Sequence, residues 1–475
     1  MSQKRKNKEI KRKRRADKKT KPNKDSKKKN PSLELELMEW KRNILEKLDF
    51  KDGYDIEAIV ETLCHRVGLQ DIVIKSPKYI ENSGVEKEIA DLFVVCNETL
   101  LVFQVKHRVL DSSKDDEVII GRAERTIQKL ENQFSTFVHL YESDRIPKQK
   151  TNKEVMVEVS KKVFGNVVLV GIVAYPGLLD QGKKKKFELV NGFKMFKGYP
   201  SHLFDIDEFD KISLELDTPK DLKMYLNARA MFFGESNIGM TSELNLLAYY
   251  KMNPKELLEA LDDKVKIMLQ DDMWDHYINK FGTKILERNK DNFESYLYDY
   301  MLNRVSDSIG FNIPGLTLEI DNDPGNVEGY FQIVKELSDH GRVFRRSFGQ
   351  AIRLIMTRAE ENLKGKGFPY AYRLIIDGET EKTGIIFLAA VDPEMNRAQR
   401  CSFLHNLAMT AEYRFGLERV LGIATESLHG PHRSFDFMSM SEHKFLPEQD
   451  ATFLSAVDQL WKSDPQVLDD YEFKP

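Results

Sequence analysis

The chain has 475 residues, too many for one ordinary core; that length favours roughly two or three domains of about 150 residues. The composition, 41% hydrophobic and 31% charged, is that of a globular protein, and no apolar run of about 18 residues suggests a membrane-spanning helix. The net charge of −3 conceals an asymmetry: residues 1–30 hold 16 Lys/Arg against Glu9, Asp17 and Asp25 (+13), and the rest holds 57 against 73 acids (−16).

Residues 1–32 are therefore expected to be a disordered basic tail, too poor in apolar surface to fold and suited to nucleic-acid phosphates. A solubilising tail, or one that contacts the acidic body, is the plainer alternative. No apolar signal-type segment opens the sequence, so the expected compartment is cytoplasmic. Cys64, Cys96 and Cys401 have no metal-ligand spacing; the first two sit in apolar segments and read as buried thiols in a reducing setting.

Helical spacing marks 33–48 and 56–67, the second capped by Asp55 and stopped at Gly68. Short strands follow at 72–74, 89–96 and 100–105, with Asn97-Glu98 as a tight hairpin connection. A helix is expected over 121–141 and a strand buried on both faces over 167–174. Lys183–Lys186 reads as a solvated turn. Residues 204–229 suggest a strand and a helix beginning at Thr218-Pro219. Helical spacing dominates 243–251, 255–269, 292–309 and 329–363. Strands return at 372–376, 384–390 and 420–424, with a helix over 398–415. The organisation is thus a tail at 1–32, an α/β domain at 33–235 with a mixed sheet flanked by helices, a helical region at 236–368, and a small α/β unit at 369–475. No internal repeat is visible.

The informative residues are Asp91 and the triplet Gln104-Val105-Lys106. Residues two apart on a strand share a face, so Gln104 and Lys106 project together. Pairing about the Asn97-Glu98 turn sets Asp91 opposite Gln104, with the strands splayed by twist or a bulge. Polar groups at the end of otherwise apolar strands are costly to bury without purpose. One or two carboxylates with a carbonyl oxygen suffice for Mg²⁺, which keeps several waters. A nearby ammonium orients a water or stabilises developing charge.

This pattern resembles the PD-(D/E)xK, or restriction-endonuclease-like, nuclease superfamily. Asp91 matches its acid and Gln104-Val105-Lys106 its second-strand triplet, in the glutamine form similar to Mrr-type endonucleases. Alanine at position 90 departs from the family's proline. The resemblance covers about residues 40–180, or on to 230, and implies Mg²⁺ or Mn²⁺ held by Asp91, Gln104 and Glu57. Lys106 would position the attacking water, and Glu57, with Glu61 second, would be the accessory acid of a preceding helix. Gln128 or Gln133 would serve from the helix that follows. It implies an endonuclease rather than an exonuclease, acting on DNA, in a setting of defence against foreign DNA.

Lys106, His107, Arg108, Arg122 and Arg125, with Lys129, are the expected phosphate contacts; a solvated strand end and helix face are the bland readings. Arg342, Arg345 and Arg346 are expected to pair with acids such as Glu336 and Asp339. His429 and His432 lack a third metal ligand and read as a turn. No phosphate-binding glycine loop, dinucleotide fingerprint or HExxH motif is present. The alternative function is a catalytically silent relative that binds nucleic acid or a protein. Residues 236–475 are the expected surface for such a partner or for a homo-oligomer.

Overall fold

Val94, Val95, Leu100 and Leu101 flank a two-residue turn, and β-branched and aliphatic neighbours of this kind favour a pleated pair. Asn97 makes the turn with φ of 48°, a left-handed conformation that asparagine tolerates. Leu92 pairs with Phe103 and Cys96 with Thr99, the register the turn dictates.

The computed structural model describes Thr62 and residues 72–175 (without 82, 112 and 152–154), 192–252 (without 235–237, 240 and 241), 267–305, 327–426 (without 366, 379 and 381), 435–441 and 451–468 (without 463 and 464). The basic tail, the segment 33–48, the segment 56–67 apart from Thr62 (so Glu57, Glu61 and Cys64), Lys183–Lys186, His429 and His432 lie outside the described residues.

In chain order the first region comprises β1 (Val73–Lys75), β2 (Lys78–Ile80), β3 (Glu86–Glu88), β4 (Leu92–Cys96), β5 (Thr99–His107), α1 (Asp116–Glu142), β6 (Gln149–Lys150), β7 (Met156–Val157), β8 (Asn166–Ala174), β9 (Phe193–Phe196), β10 (Tyr199–Asp205), α2 (Ile206–Glu215) and α3 (Pro219–Gly234). The sheet order is β1-β4-β5-β8-β10-β9, with β5-β8 and β8-β10 parallel and the other neighbours antiparallel. The expected α/β class and mixed sheet are present. The crossover helix α1 lies close over β8: a Cβ at Gly171 would meet Leu130 of α1 at 2.9 Å.

The middle holds β11 (Ile238–Gly239), α4 (Glu243–Met252), β12 (Ile267–Met268), α5 (Met273–Asp291), α6 (Ser295–Leu302), α7 (Val327–Ser338) and α8 (Arg342–Lys364). Three expectations need correcting here. Residues 267–268 are a strand beside β11, not a helix end. The 292–309 stretch contributes the shorter α6 to the described residues. The helix expected over 329–363 is two, broken at Asp339-His340-Gly341, where Gly341 is extended and opens α8.

The last region contains β13 (Tyr370–Asp377), β14 (Thr383–Ala390), α9 (Arg397–Phe415), β15 (Arg419–Thr425), β16 (Phe435–Ser441), α10 (Ala451–Leu460) and β17 (Gln466–Leu468). Its sheet runs β16-β15-β14-β13-β17. The hairpin β13–β14, then α9, then the parallel strand β15 retrace the path of β4–β5, α1 and β8, although the sequence shows no repeat.

Residue parity sorts the second sheet. Ile375, Ile385 and Phe387 join a core continuous with the first sheet and the middle helices. Leu374, Ile386 and Leu388 pack with Leu404, Leu407 and Trp461 instead. Each such side chain contributes about 1.5–3 kcal/mol by leaving water.

Two of the three clustered arginines of α8 pair with acids, though not those expected, and Arg346 donates to Asn292 Oδ1 at 3.0 Å. Arg342 bonds Asp217 and Asp299 at 2.9 and 2.7 Å, and Arg345 bonds Asp299 at 2.7 Å. Asp339 instead takes Lys223 and Asn97, and Glu336 takes Arg419.

Candidate active site

The backbone pairing of β4 with β5 ends at Asp91. Its N–H donates to Phe103 O at 3.1 Å, and its own carbonyl accepts Ser76 N–H at 3.0 Å. One step outward along β5, the amide of Val105 finds a side chain in place of a strand: it donates to Asp91 Oδ2 at 2.5 Å. The carboxylate is thus fixed at the open corner where the two strands part.

Lys106 closes the same corner. Its Nζ donates to Val105 O at 2.9 Å and lies 3.6 Å from Asp91 Oδ2. Both side chains keep about a fifth of their surface in solvent.

Gln104 is fully buried. Its Nε2 donates to Ile89 O at 3.0 Å, and its Oε1 has no hydrogen-bond partner. That bond fixes which end of the amide is which. A buried acceptor left without a donor costs about 1–3 kcal/mol, and such an orphan in a folded protein calls for an explanation. Ile89 in turn closes the base of the β2–β3 ribbon, donating to Pro77 O at 2.7 Å.

The structure therefore brings Asp91 and Lys106 together and ties Gln104 to the same hairpin end through Ile89, rather than to Asp91 directly. Among the described residues, no group of three or more His, Cys, Asp or Glu is placed to hold a metal ion. The oxygen donors at this corner are of another kind, the Asp91 carboxylate and the carbonyl of Val105, with the unpartnered Gln104 Oε1 on the same strand. They suit a hard divalent cation that keeps most of its waters.

His107 ends β5 and Arg108 follows it, both half-buried, with Arg108 donating its N–H to Ala174 O at 3.0 Å. Beside them Tyr175 donates to Ala123 O and packs on Leu110 and Ile119. Burial, with Asp205 adding to it, pushes the Tyr175 phenol up to about 12. On α1, Arg122 is half-buried, whereas Arg125 and Lys129 are exposed. Gln128 is also exposed and bonds Asn132; Gln133 is half-buried, with a buried, unpartnered Oε1.

The sequence reading missed the two main-chain carbonyls, Ile89 and Val105. Backbone acceptors leave no residue signature; the register of the hairpin was the only available signal. Comparison with known protein-family models, with curated proteins and with solved structures found no match in any of the three.

Proposed function

We propose that this chain is a metal-dependent nuclease that hydrolyses phosphodiester bonds in DNA. The observation that supports this most directly is the corner itself: a carboxylate and an ammonium 3.6 Å apart at a half-open strand end, on the same strand as Gln104, whose buried amide oxygen has no donor. Asp91, Gln104 Oε1 and Val105 O are the groups that would hold Mg²⁺ or Mn²⁺. Such an ion supplies Lewis acidity and a bound water of lowered pKa. Lys106 would orient the attacking water and offset charge on the phosphate. His107, Arg108, Arg122 and Arg125 would contact neighbouring phosphates, which position a duplex without reading its sequence. The tail at residues 1–30 adds charge-driven affinity to an otherwise acidic body. A role in defence against foreign DNA rests on the resemblance alone.

A second reading is a silent relative that binds nucleic acid or protein. The ammonium–carboxylate contact favours it, since the pair satisfies itself without a ligand. The two readings separate on plasmid and linear DNA with Mg²⁺ or Mn²⁺. Cleavage by the wild type, lost in both Asp91→Ala and Lys106→Ala while both still fold, supports the nuclease. Wild-type protein that binds DNA but never cuts it supports the silent relative.

A further inference from the structure

Lys106 bends back onto the carbonyl of the residue before it. A surface lysine has no general reason to do so, because an exposed ammonium is well hydrated and its four-carbon stem is flexible. Here the cause is local. β4 ends at Leu92, so the edge of β5 beyond it meets no strand. Asp91 Oδ2 occupies the place of one missing strand acceptor and takes the Val105 amide. Val105 O, on the same edge, has no strand amide to accept from. Two oxygens, one of them charged, therefore face one corner, and the Lys106 ammonium meets both. Among the described residues it has no other polar partner.

We propose that the Lys106 ammonium is a resident stand-in for the divalent cation. It neutralises Asp91 in the metal-free protein and must leave Val105 O and Asp91 Oδ2 before a metal ion binds. This deepens the nuclease reading and rests on it. Lys106 then acts in two positions: on the oxygen corner when the metal is absent, and free to reach water or phosphate when it is present. Its one-fifth exposure and flexible stem leave it room to swing out. A device of this kind keeps the carboxylate aimed at the corner without a metal, and it lowers metal affinity, because the entering ion must displace a cation.

The test is Mn²⁺ binding to the full chain without DNA, followed by calorimetry or by loss of the free-ion resonance signal. Wild type, Lys106→Met, Lys106→Ala and Asp91→Ala are compared, each first matched to wild type in thermal unfolding. Removing the competing charge is expected to tighten Mn²⁺ binding about tenfold in both Lys106 variants, equivalent to about 1.4 kcal/mol. Asp91→Ala is expected to abolish binding. Unchanged or weaker binding in both Lys106 variants, with Asp91→Ala still abolishing it, overturns the stand-in while leaving the metal site in place. Binding that survives Asp91→Ala, or no binding by any of the proteins, overturns the metal site and the stand-in together.

Discussion

In the first sheet a hairpin, a crossover helix and a parallel strand follow one another as β4–β5, α1 and β8; in the second the same order recurs as β13–β14, α9 and β15. Each third strand carries a glycine under its helix, Gly171 beneath Leu130 and Gly422 beneath Leu404. The open ends of the hairpins differ. Where the first has Asp91, bonded through its amide to Phe103, and then Gln104 and Lys106 along β5, the second has Pro369 facing Val391 and then Asp392 and Pro393. A single bond still joins the two strands there: Val391 donates to Pro369 O at 2.9 Å, because proline has no N–H to give. The path therefore forms with neither an amide nor a lysine at that corner, and with its acid, Asp392, turned to the backbone of Glu394. Their presence in the first sheet calls for a reason other than folding.

The second sheet keeps its charges elsewhere. Beyond β15 and on α9, Asp436 holds both Arg397 and Arg400, and Arg400 also takes Glu426 at 3.0 Å. Arg400 and Asp436 are almost wholly buried. Asp436→Ala would strand a buried guanidinium. Breaking a buried pair costs about 3–5 kcal/mol, and since Glu426 remains, the low end is expected, about 3 kcal/mol. Urea denaturation measures it. A loss under about 1 kcal/mol, the range of exposed pairs, would mean the cluster is not structural and the contrast between the sheets is false.

Next in size is Gln104→Glu. The glutamine donates to Ile89 O; a glutamate would turn a carboxylate oxygen on that carbonyl. Leaving the buried carbonyl unpaired costs about 1–3 kcal/mol. The expected result is a lower melting temperature in chelator that Mg²⁺ largely restores. A variant as stable as wild type in chelator would show that the amide's direction is unimportant.

The register of β4 and β5 was legible in the sequence because the turn at Asn97-Glu98 fixes which residues face each other, and with it the meeting of Asp91 with Lys106. The start of α3 at Pro219 was legible from proline's fixed φ. The break at 339–341 was not, because apolar spacing runs through it; the split follows from Gly341 turning extended. The partners of Arg342 and Arg345 were not legible either. Asp217 and Asp299 are more than 40 residues away, whereas the acids close in sequence are used by Lys223, Asn97 and Arg419. The common path of the two sheets was hidden because dissimilar apolar residues satisfy the same pattern of burial.

Each sheet region also holds a neutral imidazole. His405 on α9 is lowered by burial, and His202 on β10 lies well below its ordinary value, first from burial and then from Arg229. A histidine with a depressed folded value stabilises the fold above its unfolded pKa, near 6.5, and withdraws that stability as pH falls through the folded value. Stability is therefore expected to decline as pH is lowered from 7 toward 5. His405→Leu, which has no proton to gain and loses no hydrogen bond seen here, should make that decline shallower. Parallel curves for variant and wild type would show that His405 does not titrate against folding.

The smallest stability effect is expected where the functional claim is largest. Asp91→Asn removes a charge but keeps an oxygen for the Val105 amide. The Asp91–Lys106 pair is one-fifth exposed, and pairs of that kind contribute about 0–1 kcal/mol, less in salt. The variant should therefore unfold within about 1 kcal/mol of wild type while losing Mn²⁺ binding and DNA cleavage. Set beside Asp436→Ala, this gives two aspartates paired to cations on two similar frameworks, one holding the fold and the other not needed for it. Natural sites often trade stability for function in this way. If Asp91→Asn instead costs as much as Asp436→Ala, the corner belongs to the framework, and the polar end of the first hairpin no longer marks a reaction.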